Sequence, residues 1–272
     1  MVNLIPLAGN GSRFIDVGIT IPKPLIPVSG KPMIHRAIND LPPCDQWIFI
    51  VLENHIKNYA IDDVIRSCCK DAIIISTPNV TNGQASTCML ASPFIDDEDE
   101  VFIGAADIGI SFDYKKFVES KKTVDCIIPS LTQHECLKNN PDQYGWLILE
   151  EDKITIKDVS VKKAVSDNPY FDHSQTGFFY FKNFKTFKDS YNLMLKDDYR
   201  VRGEFFIDSL PRFVKMLGMR SISFPIELYP NWGTPKNLND YLLIEHYCKY
   251  GGEIQNSDYC EKITLWMNYF NR

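Results

Sequence analysis

A short loop near the start of the sequence carries residues suited to binding phosphate. Gly9 and Gly11 follow an apolar run, and as glycines they can turn successive backbone N–H groups toward one anion. Ser12 adds a hydroxyl, and Arg13 adds a guanidinium whose charge does not titrate away. Further along, Lys23 stands between two prolines that stiffen the segment around it. These residues are typical of a polyphosphate site in which Arg13 and Lys23 act as electrostatic stabilisers.

This loop differs from the better-known phosphate-binding motifs. It lacks the Gly-Lys-Ser/Thr ending of a P-loop, and Arg13 stands near the place of the third glycine of a dinucleotide-binding fingerprint. The functions of a kinase and a dehydrogenase are therefore disfavoured. The structural alternative is a plain strand-to-loop turn with surface cations, which does not explain why Arg13 and the stiffened Lys23 occur together.

A carboxylate ends a second apolar run. Asp107 follows residues 101–106, whose last members are small, so we expect it at the tip of a central strand. Magnesium bound to nucleotide phosphates needs only one or two protein carboxylates, because phosphate oxygens and waters complete its octahedron. Asp107 is therefore a candidate magnesium ligand, and a helix cap is its structural alternative.

The two segments around Arg13 and Lys23 together resemble a known family, the sugar-phosphate nucleotidyltransferases, also called nucleoside-diphosphate-sugar pyrophosphorylases. The matching pattern is Ala8-Gly9-x-Gly11-Ser12-Arg13, then Pro22-Lys23-Pro24-Leu25-Ile26-Pro27-Val28-x-Gly30-Lys31-Pro32-Met33. Weaker similarity extends to about Tyr241, and it is greatest to members associated with capsule or surface-polysaccharide synthesis. The resemblance implies a GT-A-like nucleotidyltransferase fold. It also implies Mg²⁺-dependent transfer of an NMP group from an NTP to a sugar 1-phosphate, with Arg13 and Lys23 as catalytic residues.

The resemblance also assigns residues to the nucleotide. Residues 81–87 are similar to the family segment that holds the nucleobase, where the Gln84 amide offers both a donor and an acceptor to a base edge. A plain helix N-terminus is the alternative for this segment. The residues expected to bind nucleotide are Leu7, Ala8, Gly9, Gly11, Ser12, Asn82, Gly83, Gln84 and Ala106.

The family places a metal ligand at Asp107 and often a second one in a late Asp-x-Gly-Thr segment. In this chain Asn231 stands in that aspartate position. An amide oxygen can ligate magnesium but brings no charge. Asp107 and Asn231 are the expected metal residues, whereas no spacing places the carboxylates of Glu204 and Asp208 on the metal.

Residues 159–164 resemble the Glu-Lys segment that reaches the sugar and its phosphate in this family. Lys163 matches the lysine, and Lys162 replaces the usual glutamate. A lysine cannot accept hydrogen bonds from sugar hydroxyls, so we expect an unusual or more anionic acceptor. Two lysines on an exposed strand edge are the alternative. Gly177 and Glu204 match further family positions near the acceptor.

Two other functions stay open. The lysine at position 162 favours a cytidylyltransferase that acts on a non-sugar phosphate, such as a phosphorylated alcohol. Asn231 favours a catalytically weak regulatory protein that binds nucleotide. A metal-dependent glycosyltransferase is less favoured, because it would not need Arg13 and Lys23 together.

Alternating strands and helices are expected to position these residues. Strand-like runs occupy residues 2–7, 47–52, 72–76, 101–104 and 124–129, and helical patterns occupy residues 33–41, 55–69, 84–91 and 114–120. This alternation predicts an α/β fold with a Rossmann-like, mostly parallel sheet flanked by helices and with ligands at the carboxyl ends of its strands. Later runs at residues 146–150, 154–161 and 177–181 predict an antiparallel extension that closes over the site. Helices at residues 184–195 and 204–217, a strand at 221–225 and helices at 235–249 and 258–271 complete the prediction.

One nucleotidyltransferase domain is expected over residues 1–235. Its nucleotide-binding half covers about residues 1–130 and its acceptor-binding half about residues 131–235. A helical appendage over residues 236–272 follows, and a lid, a packing arm and a contact within a homo-oligomer are its open roles.

Composition limits the partners and the location. The 272 residues are 44% hydrophobic and carry a net charge of −6, which disfavours a nucleic acid or an anionic membrane as partner. The expected partners are an NTP and a phosphorylated small-molecule acceptor. Eight cysteines without metal-type spacing indicate reduced thiols. With no signal-peptide pattern and no apolar run of membrane-spanning length, the expected location is the cytoplasm.

Overall fold

A mixed sheet of ten strands forms the centre of the computed structural model, which describes residues 1–252 and 257–271. The strands are β1 (Val2–Pro6), β2 (Pro27–Val28), β3 (Lys31–Pro32), β4 (Gln46–Leu52), β5 (Ile73–Thr77), β6 (Val101–Ile103), β7 (Cys126–Leu131), β8 (Gly145–Leu149), β9 (Ile156–Val161), β10 (His173–Gln175), β11 (Phe179–Phe181) and β12 (Ser221–Pro225). β2 and β3 form a separate hairpin outside the central sheet.

Helices cover this sheet and alternate with its strands along the chain. They are α1 (Ser12–Ile15), α2 (Met33–Asn39), α3 (Glu53–Tyr59), α4 (Ile61–Arg66), α5 (Gln84–Met89), α6 (Tyr114–Ser120), α7 (Cys136–Asn139), α8 (Phe184–Lys196), α9 (Leu210–Met216), α10 (Pro235–Tyr250), α11 (Ser257–Glu261) and α12 (Ile263–Phe270). Within the described ranges, none of them combines the length and apolar character needed to cross a membrane.

The N-terminal half of the sheet is parallel. β5, β4, β1 and β6 lie side by side in that order. Leu4 packs into the core on one face of the sheet, and its neighbour Ile5 packs into the core on the other face. Because both faces are buried, β4 is an apolar run from Trp47 to Leu52 rather than an alternating one. The predicted α/β fold with a mostly parallel sheet is confirmed.

The antiparallel strands extend the sheet, but one of them is central. β11 lies between β6 and β7 and is antiparallel to both. Its three residues are fully buried, as expected of a strand covered on both faces. β7 also pairs with β10, which continues to β8 and β9. The sheet therefore forks at Gly177, between β10 and β11.

Three predicted helices are wrong in their bounds, and the one predicted over residues 258–271 is divided into α11 and α12. The helix predicted over residues 55–69 is divided into α3 and α4 at Ala60, whose φ of 48° ends one helix and starts the next. The helix predicted over residues 204–217 begins only at Leu210. The chain before it pairs with the segment preceding α5, through hydrogen bonds at Phe205.

The C-terminal helices pack on the loops of the first 33 residues. Tyr241 of α10 and Trp266 of α12 share one apolar cluster with Phe14 and Met33. The Tyr269 hydroxyl donates a hydrogen bond of 2.7 Å to the Asp40 carboxylate. These contacts make α10 and α12 a support for the segment that contains the predicted phosphate loop.

Trp266→Ala tests this support. The Trp266 side chain is only 3% exposed, so its truncation should lower the free energy of unfolding by about 3–5 kcal/mol. Urea denaturation measures the change. Tyr250→Ala is the matched control because Tyr250 is 76% exposed, and a loss of stability equal to that of the control would show that α12 does not support the core.

Candidate active site

Two loops that follow neighbouring parallel strands form the candidate site. The loop after β1 leads to Lys23, and the loop after β6 carries Asp107. Since β1 and β6 pair, their carboxyl ends lie side by side. The Lys23 ammonium donates a hydrogen bond to Asp107 Oδ2 in an ion pair that spans the two loops. The fold thus joins a cation and a carboxylate that lie 84 residues apart in the sequence.

Gly11 determines the shape of the first loop. It has φ of 65°, a left-handed conformation that favours glycine, and a Cβ atom there would lie 3.2 Å from Lys23 Cβ. The loop can therefore approach the lysine segment closely. Beneath it, the Lys23 ammonium lies 5.7 Å from the centroid of the buried Phe14 ring, within cation–π distance.

A cavity of about 230 Å³ lies between these segments, and we call it the loop cavity. Its lining residues are Gly11, Ser12, Arg13, Phe14, Lys23 and Gly233. Arg13 is exposed and forms no ion pair with any residue that the structure describes. Its guanidinium is available to an anion in the cavity.

Backbone pairing with a late segment holds the Asp107 loop in place. The Gly109 amide donates a hydrogen bond of 2.7 Å to the Pro230 carbonyl. The Trp232 amide donates one of 2.9 Å to the Asp107 carbonyl. These contacts fix Asp107 against residues 228–232.

The same pairing places Asn231 beside Asp107. A Cβ atom at Gly233 would lie 3.0 Å from Asp107 Oδ2 and 3.1 Å from Asn231 Oδ1, so both oxygens border one space that glycine leaves open. The Gly233 amide donates a hydrogen bond of 2.8 Å to Asn231 Oδ1 and orients it. A carboxylate oxygen and an amide oxygen are suitable ligands for a hard divalent cation.

Further protein ligands are not gathered around this space. Within residues 1–252 and 257–271, no group of three or more His, Cys, Asp and Glu side chains is placed to hold a metal ion. A cation at Asp107 and Asn231 would therefore depend on the oxygens of a bound substrate and on water.

A second cavity, of about 250 Å³, opens beyond Asp107, and we call it the central cavity. The predicted residues that line it are Arg13, Gln84, Asp107, Lys162, Gly177 and Asn231. Arg13 and Gly233 border both cavities, so the two are adjacent.

The structure separates the two lysines of the predicted acceptor segment. Lys162 lines the central cavity, donates a hydrogen bond to the Gln143 carbonyl and lies 5.2 Å from the centroid of the Phe206 ring. Burial lowers its pKa, which the nearby Asp208 carboxylate partly opposes. Lys163 is exposed and does not line the cavity. Glu204 is likewise exposed and outside the cavity lining.

The predicted nucleobase segment is hydrogen-bonded to Phe205, and its Gln84 lines the central cavity. The Phe205 amide donates a hydrogen bond of 2.8 Å to the Asn82 carbonyl, and the Phe205 carbonyl accepts one of 3.1 Å from Ala85. A Cβ atom at Gly83 would lie 2.6 Å from Phe205 N and O, so only glycine allows this approach. Gln84 is half-buried, and its amide has no hydrogen-bond partner among the described residues.

The remaining predicted nucleotide residues lie at strand ends. Leu7 and Ala8 are buried, and the Leu7 amide donates a hydrogen bond of 2.7 Å to the Ile50 carbonyl. Gly9 is exposed, and Ala106 is half-buried immediately before Asp107. The side chains of Leu7 and Ala8 belong to the core, so these two residues can contact a ligand only through their backbone atoms.

Sequence reasoning missed one wall of the central cavity. Its residues come from the start of β8, from β10, from the turn before α9 and from residue 229, and they are Gln143, Tyr144, Gly145, Gln175, Phe206, Asp208 and Tyr229. A glycine in a strand often marks a close approach of other groups, so Gly145 was a signal for this wall. Burial raises the pKa of Asp208 and the pKa of Tyr229.

Comparison with known proteins supports this fold. Residues 2–214 match the family model for nucleotidyl transferases, whereas no curated protein matches the sequence. The nucleoside-diphosphate-sugar pyrophosphorylase from Vibrio cholerae RC9 is similar in structure, with a TM-score of 0.73 and 19% identity, over 89% of this chain and 100% of its own. The inositol-1-phosphate CTP transferase from T. maritima has a TM-score of 0.69 and 15% identity, over 97% of this chain and 95% of its own. At these identities the structural similarity shows a shared fold.

Gly83→Ala tests the contact between the segment before α5 and Phe205. The added Cβ would collide with the backbone of Phe205, and a φ of 128° is costly for alanine. We expect a loss of stability of about 3 kcal/mol together with weaker nucleotide binding. Calorimetric melting and nucleotide titration measure the two effects.

Gly203→Ala is the control for this substitution. Gly203 has φ of 86° but no atom within 4 Å of an added Cβ, so only the conformational cost of about 1 kcal/mol applies. Equal effects at positions 83 and 203 would mean that the close approach to Phe205 is unimportant.

Proposed function

The chain belongs to the nucleotidyl transferase family, and on that basis we propose that it transfers an NMP group from an NTP to a sugar 1-phosphate. The products are an NDP-sugar and pyrophosphate. One observation carries this proposal: the ion pair of Lys23 and Asp107 lies where the loop cavity meets the central cavity. The loop cavity is bordered by cations, and the central cavity is large enough for a phosphorylated acceptor. We assign the pyrophosphate end of the NTP to the loop cavity and the acceptor to the central cavity.

Charge stabilisation by Arg13 and Lys23 accounts for most of the proposed chemistry. An oxygen of the acceptor phosphate attacks the α-phosphorus in line, and a new P–O bond forms there. The bond from the α-phosphorus to the bridging oxygen breaks, and pyrophosphate leaves with the electron pair. Both cations border the loop cavity and stabilise the negative charge that moves onto this leaving group. The acceptor is itself an anion, so the protein does not need to supply a nucleophile.

The Lys23–Asp107 ion pair is weak enough to be exchanged for substrate. The side chains are 20% and 26% exposed, and partly exposed pairs of this kind contribute at most about 1 kcal/mol. A polyphosphate can therefore take over Lys23 at low cost. Asp107 then becomes available to a cation.

Asp107 and Asn231 would hold magnesium in this proposal. Their two oxygens border the same space at Gly233, which fits the donor set of a hard cation. Bound magnesium supplies Lewis-acid polarisation of phosphoryl oxygens. Because Asn231 contributes a dipole and no charge, we expect weaker metal binding than at a site with two carboxylates.

The remaining roles follow the resemblance and the cavity lining. Gln84 is the proposed contact of the nucleobase, since its amide faces the central cavity without a partner in the described chain. Lys162, Lys163, Gly177 and Glu204 are the proposed acceptor residues, and of these Lys162 and Gly177 line the cavity. The resemblance to capsule-associated members supports a role in surface-polysaccharide synthesis in the cytoplasm.

A second candidate function is transfer of a cytidylyl group to a non-sugar polyol phosphate. The structural similarity to the inositol-1-phosphate CTP transferase from T. maritima extends over 97% of this chain and favours it.

A pyrophosphate assay tests the proposed function. The purified chain is mixed with each common NTP and a panel of sugar 1-phosphates, inositol 1-phosphate and choline phosphate, with Mg²⁺ or with EDTA. We expect pyrophosphate release with at least one sugar 1-phosphate and its loss in EDTA. Release only with a non-sugar phosphate would favour the second candidate. Nucleotide binding without release for any acceptor would contradict both and favour a regulatory protein.

Lys23→Ala should keep the fold and reduce turnover by about 100-fold, by analogy with the loss of one oxyanion donor. The expected cause is the loss of charge stabilisation on the departing pyrophosphate. Lys57→Ala is the matched control, because Lys57 is exposed on α3, away from both cavities. Turnover equal in the two variants would remove the catalytic role of Lys23.

Asn231→Asp should lower the Mg²⁺ concentration needed for half-maximal turnover by about tenfold, because a second carboxylate adds charge beside Asp107. A Mg²⁺ titration of initial rates measures this shift. Asn239→Asp is the control, since Asn239 is exposed and lines neither the loop cavity nor the central cavity. An unchanged Mg²⁺ requirement in Asn231→Asp would place the metal elsewhere.

A further inference from the structure

The side chains of Asp208 and Gln175 both lie against Gly145 at the wall of the central cavity. Gly145 begins β8, and a Cβ atom there would lie 2.4 Å from Asp208 Oδ1 and 2.9 Å from Gln175 Nε2. The absence of a side chain at Gly145 therefore lets Asp208 and Gln175 meet at the cavity.

The orientation of the Gln175 amide is fixed by its neighbour. Gln175 Nε2 donates a hydrogen bond of 2.9 Å to the Asp208 backbone carbonyl. A carbonyl can only accept, so the nitrogen must face it and Oε1 must be the remaining atom. Gln175 is only 3% exposed, and its Oε1 is buried with no hydrogen-bond partner. A buried acceptor of this kind is costly unless a ligand supplies a donor.

The Asp208 carboxylate is a second acceptor, and its own backbone N–H is the one donor that the described residues give it. It lines the central cavity, and among the described residues no neighbouring side chain donates a hydrogen bond to it. Lys162 interacts with it through charge, but the Lys162 ammonium donates its hydrogen bond to the Gln143 carbonyl. The positive charge of Lys162 is thus offset by Asp208, which removes the reason to expect a more anionic acceptor. Two acceptor side chains at one wall, beside a compensated charge, favour a neutral group rich in O–H donors.

We propose that Asp208 and Gln175 are specificity-determining residues that accept hydrogen bonds from hydroxyl groups of the acceptor. In the family that this sequence resembles, a glutamate stands at the position of Lys162 and accepts these hydrogen bonds. Asp208 and Gln175 take over that role in this chain. This inference rests on the proposed function, because it concerns the ligand of the same central cavity. It favours a phosphorylated ring that carries hydroxyls over a phosphorylated quaternary ammonium alcohol, which has no O–H or N–H donor outside its phosphate.

The test compares wild type with Asp208→Asn, Asp208→Ser and the control Asp167→Asn, since Asp167 is exposed and outside the cavity lining. Each protein is assayed with the best sugar or inositol phosphate found in the acceptor panel, and with its monodeoxy analogues. Calorimetric binding of the same phosphates is measured in parallel, so that the result does not depend on turnover. The serine variant is included because an asparagine can rotate its amide oxygen toward the ligand, and because one of the two substitutions can fail to fold.

We expect wild type and Asp167→Asn to lose about 10- to 100-fold in kcat/KM or affinity when one particular hydroxyl is removed, the range for a hydrogen bond to a charged group. In both Asp208 variants this discrimination should fall to less than about threefold, through a weaker interaction with the hydroxylated phosphate. Discrimination that persists in a folded Asp208 variant would overturn the inference, and so would better binding of choline phosphate than of every hydroxylated phosphate. Binding that depends on Asp208 without any pyrophosphate release would instead leave this inference standing and refute the proposed function.

Discussion

Lys23 and Asp107 come from loops that follow the neighbouring parallel strands β1 and β6, and their ion pair depends on that adjacency. The pair does not hold the loops in place, because a partly exposed pair contributes at most about 1 kcal/mol. The apolar support of Phe14 and the backbone pairing of Gly109 with Pro230 fix the two loops instead. A rigid frame thus holds a weak and exchangeable contact, as the proposed function requires of a site where a substrate replaces internal partners.

Close backbone approach assembles the rest of the site. Gly83 meets the backbone of Phe205, Gly145 meets Asp208, and Gly233 meets Asp107 and Asn231. At each of these positions a Cβ atom would lie 3.0 Å or less from a neighbouring group. The contact at Phe205 joins the segment before α5 to the turn before α9, so the proposed base site and the wall of the central cavity are held together. The fork of the sheet at Gly177 opens the space between them.

The sequence alone predicts that the loop after β1 and Asp107 lie at one edge of the sheet, and the structure brings them together there. The phosphate loop is a local motif, and the position of Asp107 follows from the rule that parallel strands place their carboxyl ends at one edge. The wall formed by Gly145, Gln175 and Asp208 could not be predicted in the same way. These residues come from two antiparallel strands and from the turn before α9, and their meeting depends on a pairing register that single-sequence patterns do not reveal. Lys162 shows a related difficulty, because its φ of 60° interrupts the strand alternation that would otherwise decide which lysine faces the cavity.

We infer that one site of this protein joins an NTP to an acceptor phosphate through the space around Asp107. Phosphorus NMR of a mixture of the protein, Mg²⁺, an NTP and its best acceptor phosphate tests this inference, because it resolves every phosphorus species at once. We expect pyrophosphate and a new diphosphate-linked product to appear in equal amounts, and Asp107→Ala to abolish both. Release of inorganic phosphate without a diphosphate-linked product would refute the inference, and so would unchanged product formation in Asp107→Ala.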